Sequence, residues 1–283
     1  MKRYLLSTWL KISGIVAASG LAYENDQLML VSDNGNALYH YFINNDSLAK
    51  YSFDDNTVTD LMEKEVKYDL ESFTIVDNTW YAFGSGSTEK RNTGFMFNKF
   101  SKYSTPIDLT NLYADMKSFA ELSEDDFNIE AATTYNDDWI FLNRGNGPKN
   151  ANYLFIVQGK NLTDEFNLFY FDFTLPTINN VQAGFSDAVT VNNTLYFIAT
   201  AEDELSTYKD GAVKGSMFGA IDLKKMKILF TQKISDHNKF EGITILEQGN
   251  KSITFALCED NDDAKNTQSI IYKLHVDLKR KIK

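Results

Sequence analysis

Apolar and polar residues alternate in short runs along most of the chain, with the period of two expected of half-buried strands. Five segments repeat one order of events: 18–43, 70–97, 129–157, 186–223 and 240–276. Each opens on a small or acidic residue and continues as a short apolar strand. A turn rich in Asn and Asp follows, at Glu24-Asn25-Asp26, Asp77-Asn78, Asn136-Asp137-Asp138, Asn192-Asn193 and Gln248-Gly249-Asn250. A second strand then alternates aromatic and aliphatic residues, and a polar loop leads to a third strand. Further strands are predicted at 48–53, 166–173 and 226–232. Anchored on Ser19, Glu71, Glu130, Asp187 and Glu241, the repeats are spaced by 52, 59, 57 and 54 residues.

Four short antiparallel strands per repeat of this length predict an all-β chain folded as a β-propeller. Five blades are counted, and a sixth stays open if 100–126 or 161–183 hides degenerate strands. The last repeat has three clear strands. The segment RYLLSTWLK (3–11) is predicted to supply its outer strand, which would tie the two ends of the chain together and leave no long open edge. Residues 1–283 read as a single propeller domain. One insertion looks helical, because Leu112, Met116, Phe119 and Leu122 within 109–122 follow a helical spacing, with Thr110 as a candidate cap.

Composition narrows the partners. Lys and Arg number 28 against 39 Asp and Glu in 283 residues, a net charge of -11. That balance argues against nonspecific nucleic-acid binding, which needs a positive surface. The lone Cys258 excludes an internal disulfide, and as a buried residue it reads as a small hydrophobe. There is no run of about 18 apolar residues, so no membrane-spanning helix is predicted. A cytoplasmic location is expected. The alternative is export with residues 1–18 as a signal peptide, against which stand Lys11 and the overlap of this region with the first repeat. The cluster Lys279, Arg280, Lys281 and Lys283 reads as a solvated end rather than a docking tail.

In a propeller the first strand of each blade lines a central channel. The start of that strand and the end of the second should then gather at one mouth. The anchors Glu71, Glu130, Asp187 and Glu241 would put four carboxylates around that opening, and Ser19 with them. Two unit charges about 6 Å apart repel by roughly 3 kcal/mol at an effective dielectric of 20. The acids must therefore take up protons or share cations. Glu71, Glu130, Asp187 and Glu241 form a candidate site for Ca²⁺ or another divalent cation, for which hard oxygen ligands are suited. Otherwise no cofactor is expected, and an Arg–carboxylate network would seal the channel instead.

The second-strand ends add Asp33, Glu202, Asp203 and Glu259. The loop GSGSTEKR (84–91) brings Ser85, Ser87, Lys90 and Arg91, a candidate nest for an anion, or else a plain strand connection. It lacks the P-loop spacing. NRGNGP (143–148) adds Arg144 and Asn146 on the next blade. Glu130, Arg144 and His237 are the candidate catalytic residues. His237, four residues before Glu241, is a candidate general base, or else a surface-loop histidine.

The phrases DLESFTI, FGSGSTEKR, NIEAAT, FLNRGN, GFSDAVTV, ATAEDELSTY and KFEGITI resemble a bacterial family of uncharacterised propeller proteins, itself similar to the esterase-like-activity-of-phytase propellers. A more distant likeness is to gluconolactonase- and paraoxonase-type propellers, which hold Ca²⁺ at the inner ends of several blades. The resemblance implies a propeller with a functional mouth. There, a divalent cation and a small anionic ligand would meet, in a phytase/esterase-like or lactonase-like hydrolase. The other reading is a noncatalytic scaffold whose rim binds a protein or glycan.

Overall fold

The computed structural model describes residues 4–54, 57–163, 165–203, 211–260 and 267–278. The charged C-terminal cluster, the first three residues and part of the ATAEDELSTY loop lie outside them. Five antiparallel sheets form five blades, as the repeats predict. Their inner strands are Ala18–Glu24, Leu70–Val76, Ile129–Tyr135, Val181–Val191 and Lys239–Gln248. Each inner strand touches the next around the ring, and the fifth touches the first.

The hairpin turns between first and second strands follow from the residues found there. Asn25, Asp26, Asp77, Asn136 and Asn192 all have φ between 51° and 59°, the left-handed region that Asn and Asp tolerate best among side-chain-bearing residues.

The chain closes as expected. Tyr4–Ser13 runs antiparallel to Gln268–Asp277 and becomes the outer strand of blade 5. The two regions that left a sixth blade open are accounted for. Residues 100–126 supply the outer strand of blade 2, Ser104–Asp108, and a helix, Thr110–Phe119. Residues 161–183 supply the outer strand of blade 3, Leu168–Asp172, and a short edge strand of blade 4, Thr177–Ile178.

The helix starts after Leu109, so Thr110 is its first residue rather than its cap, and the Asp108 carboxylate accepts the Thr110 N–H at 2.9 Å. Leu112, Tyr113 and Met116 are buried, while Phe119 is 53% exposed. Tyr113 donates to the Gly84 carbonyl at 2.8 Å and so ties the helix to blade 2.

The core is five wedges, one between each pair of neighbouring blades. Aromatic rings fill them. Trp80 stacks on Phe97 between blades 1 and 2 with centroids 5.7 Å apart, and Phe83 meets Trp139 edge-on at 5.4 Å between blades 2 and 3. Flat sheets that diverge outward leave wedge-shaped gaps, and large rings fill these with few rotamers to freeze.

Candidate functional site: the charged mouth of the channel

Every inner strand carries a register shift at the same point, a β-bulge. It falls between Ala18 and Gly20, Leu70 and Ser72, Ile129 and Ala131, Phe185 and Asp187, and Phe240 and Gly242. The skipped residues are Ser19, Glu71, Glu130, Ser186 and Glu241. A bulge leaves one residue outside the ladder and re-aims its side chain. Four of the five sequence anchors are these residues. In blade 4 the equivalent is Ser186, one position before the expected Asp187.

That offset changes what Asp187 does. Its Oδ2 accepts the Ile243 N–H at 2.7 Å and its Oδ1 accepts the Ala188 N–H at 2.7 Å. The carboxylate thus fastens the inner strand of blade 4 to that of blade 5. Burial nevertheless pushes its pKa well above the usual carboxylate range, with the two backbone N–H bonds pulling the other way.

The remaining polar residues form two networks. In the first, Lys67 Nζ lies 2.7 Å from Asp33 and 2.8 Å from Asp69. Arg91 reaches Asp69 at 2.8 Å and donates to Ser87 Oγ at 2.7 Å. Ser85 donates to Asp69 at 2.6 Å. Gly86 turns this loop at a φ of 72°, where a Cβ would come within 2.6 Å of the rings of Phe127 and Tyr113.

The second network centres on Arg144. It meets Glu130 at 3.2 Å and Glu241 at 3.6 Å, and it pairs closely with Glu202. Lys239 bridges Glu241 at 2.9 Å and Asp260 at 3.0 Å. Asn128 donates to Glu130 at 2.7 Å.

Glu71 belongs to neither network. Oxygens of Asp33, Asp69 and Glu71 lie within 4.8 Å of one another, yet Glu71 makes no hydrogen bond or ion pair among the described residues. Burial, then the carboxylates of Glu130, Asp69, Asp33 and Glu241, push it well above the usual carboxylate range. Burial raises Asp33 to about 6 against the pull of Lys67. Burial also raises Glu241 strongly and Glu130 to a lesser degree, opposed by Lys239 and Arg144. Asp69 goes the other way: burial disfavours its charge, but Lys67 and Arg91 hold it below the usual range. Seven carboxylates thus share four cations at the described part of the mouth, an excess of negative charge that protons or an added cation would relieve.

The other expected residues divide. Ser19 donates to the Leu70 carbonyl and links blades 1 and 2. Glu259 accepts from Asn238 at 2.7 Å and from Tyr272 at 2.6 Å. Asp203 pairs with Lys214 at 3.0 Å. Lys90 is exposed and lies 5.3 Å above the Tyr68 ring. His237 is exposed, and its ring has no hydrogen-bond partner among the described residues. Asn146 lines a small cavity with Arg144 and Glu202. Three contributors escaped the sequence reading: Lys67, Asp69 and Lys239. Asp69 and Lys239 stand two positions before the bulged Glu71 and Glu241, Asp69 just ahead of its strand with a φ of 56° and Lys239 at the start of its own.

The donor set for a metal therefore differs from the expected four. Asp187 has both oxygens engaged by backbone N–H groups, and Glu130 and Glu241 face Arg144. Oxygens close enough to share an ion come from Asp33, Asp69 and Glu71. They are hard ligands of the right kind for Ca²⁺ or Mg²⁺, with Lys67 competing for two of them.

A family model described as a family of unknown function, DUF6929, matches residues 14–276. The chain belongs to this family. No curated protein matches this DUF6929 chain. Among solved structures it is similar to the glutaminyl cyclase of Myxococcus xanthus, with a TM-score of 0.57, 9% identity and 98% of each chain covered. It is also similar to the major allergen Mala s 1 of Malassezia sympodialis, with a TM-score of 0.51, 10% identity, and 93% of this chain and 95% of that one covered. At such identities the likeness is one of fold. No helix among the described residues is long and apolar enough to cross a membrane.

Proposed function

We propose that the channel mouth is a small-molecule site that receives a cationic group, and that Glu71 is its proton-exchanging residue. One observation carries this reading: among the described residues, Glu71 sits beside other carboxylates with no cation bonded to it. A ligand ammonium would supply the missing charge and displace the proton. A carboxyl whose acidity is shifted toward neutrality suits general acid–base work on that ligand. Arg91, Arg144, Lys67 and Lys239 are spent on internal ion pairs, so an anionic group of the ligand would find Lys90 and backbone N–H groups rather than these side chains.

Glutaminyl cyclisation, for which the structurally similar Myxococcus protein is named, is the first reaction to assay. An N-terminal glutaminyl residue carries both an amine and a side-chain carboxamide, and closing the ring between them moves a proton at each. The test is isothermal titration of an N-terminal glutaminyl peptide in two buffers of different ionisation enthalpy, with ammonia release followed in parallel. Uptake that releases a proton, and its loss in Glu71→Gln, is the expected result. Binding unchanged by Glu71→Gln overturns the reading.

A second reading rests on the Asp33–Asp69–Glu71 oxygens. These residues would hold a divalent cation. Such an ion, when bound, supplies polarisation of an ester or lactone carbonyl and a more acidic water. This is the chemistry implied by the likeness to phytase- and lactonase-type propellers. Melting temperature with Ca²⁺ and with chelator separates the two: a shift of several degrees with Ca²⁺, abolished by Glu71→Gln, favours the metal, and no shift removes it. A mouth that takes neither amine nor metal would leave the rim as a scaffold for a protein or glycan.

A further inference from the structure

Between blades 3 and 4, beside the mouth, lies a cavity of about 40 Å³ lined by Arg144, Asn146, Asn150, Gly184, Thr200 and Glu202. Among the described residues, its walls leave three buried polar atoms without a hydrogen bond: Arg144 Nε, Asn146 Oδ1 and Glu202 Oε1. The side chain of Arg144 is 4% exposed and that of Glu202 9%. Arg144 directs its terminal nitrogens at Glu130, Glu202 and Glu241, while its buried Nε–H meets no acceptor among the described residues. Glu202 Oε1 has an ionic contact with Lys239 at 3.5 Å but accepts no hydrogen bond. Unmet buried polar atoms are rare in folded proteins and call for a partner.

We propose that this cavity is a subsite for a primary carboxamide. The volume suits about three non-hydrogen atoms, the size of a CONH₂ group. That group offers one acceptor and two donors, the complement of one free N–H and two free oxygens. A carboxylate has no donor and would be repelled by Glu202. An ammonium has no acceptor for Arg144 Nε–H. The backbone keeps the space open: a Cβ at Gly184 would come within 2.6 Å of Arg144 Cγ.

The inference deepens the proposed function, because a ligand whose amine reaches the Glu71 side of the mouth would place a nearby carboxamide here. The pocket itself can be tested without that ligand. The chain has arginines at 3, 91, 144 and 280 only, so their Nε–H signals in a ¹⁵N NMR spectrum are few enough to assign. Acetamide is the probe, with acetate and N,N-dimethylacetamide as controls. The expected result is a saturable movement of the Arg144 Nε–H signal with acetamide alone. Gly184→Ala is expected to weaken it at least tenfold. No saturable movement, or equal movement with all three compounds, overturns the proposal. So does a crystal soaked in acetamide that shows ordered water only in the cavity. Acetamide binding without Glu71-dependent amine binding would leave the subsite standing and remove the proposed function. The reverse pattern would remove the subsite alone.

Discussion

Replacing Glu71 by Gln should stabilise the protein, and by more as the pH rises. The carboxyl lies within 4.8 Å of oxygens of Asp33 and Asp69. At an effective dielectric of 20, each such contact between ionised groups costs about 3 kcal/mol, before Lys67 offsets part of it. Burial and these neighbours raise the pKa of Glu71 well above its ordinary value. An acid raised in the folded state binds more protons there than in the unfolded chain. The stability it contributes is therefore complete below the unfolded value and is lost as pH climbs through the folded one. Glutamine keeps the shape and removes this titration. Urea unfolding at pH 5, 6, 7 and 8 should show variant and native protein within about 0.5 kcal/mol at the acid end and a gain of about 1–3 kcal/mol at pH 8. A gain of the same size at every pH, or a loss at pH 8, would refute the reasoning. A loss would mean that the charged form has a favourable partner.

Arg144→Met should cost about 3–5 kcal/mol in denaturant unfolding, because it leaves Glu130, Glu202 and Glu241 facing one another in a buried site. Asp187→Asn should cost about 1–3 kcal/mol, since one of the two N–H groups of Ile243 and Ala188 loses its acceptor. The same variant should leave ligand binding at the mouth intact, as titration calorimetry would show. Removal of residues 1–13 strips the outer strand from Gln268–Asp277 and should yield dimers or aggregates on size exclusion, because the exposed edge invites pairing with another chain.

The fold was legible because a propeller states its architecture five times. Strand alternation, Asn and Asp in left-handed turn positions, and a missing outer strand matched by an N-terminal one each follow from local chemistry. The candidate site is legible only in part. Acids at repeat positions stand out in the sequence, and Glu71, Glu130 and Glu241 occupy the bulges of their strands. Asp187 resembles the acids of the other repeats more than Ser186 does, yet Ser186 holds the bulge. A bulge shifts the register by one residue, and no composition signal marks where it falls. Lys67 was missed because it precedes the repeat, in a connection with no pattern of its own.

The bulges also explain why charge collects here at all. In a regular strand a residue at that position would stand on one sheet face, packed into a wedge of aromatic rings where a carboxylate could not survive unpaired. Skipping one residue per inner strand turns Glu71, Glu130 and Glu241 out of the wedge and into the channel. The ladder resumes beyond it, so the aromatic packing is kept. Blades 1 and 4 place serines at the same point, and Ser19 spends its hydroxyl on the neighbouring blade. The acids are thus concentrated on blades 2, 3 and 5, and the built-in cations Arg144 and Lys239 serve blades 3 and 5. Blade 2 is the one whose bulged acid makes no ion pair among the described residues, with Lys67 acting on it only through space. That asymmetry, rather than the ring as a whole, is what singles out Glu71.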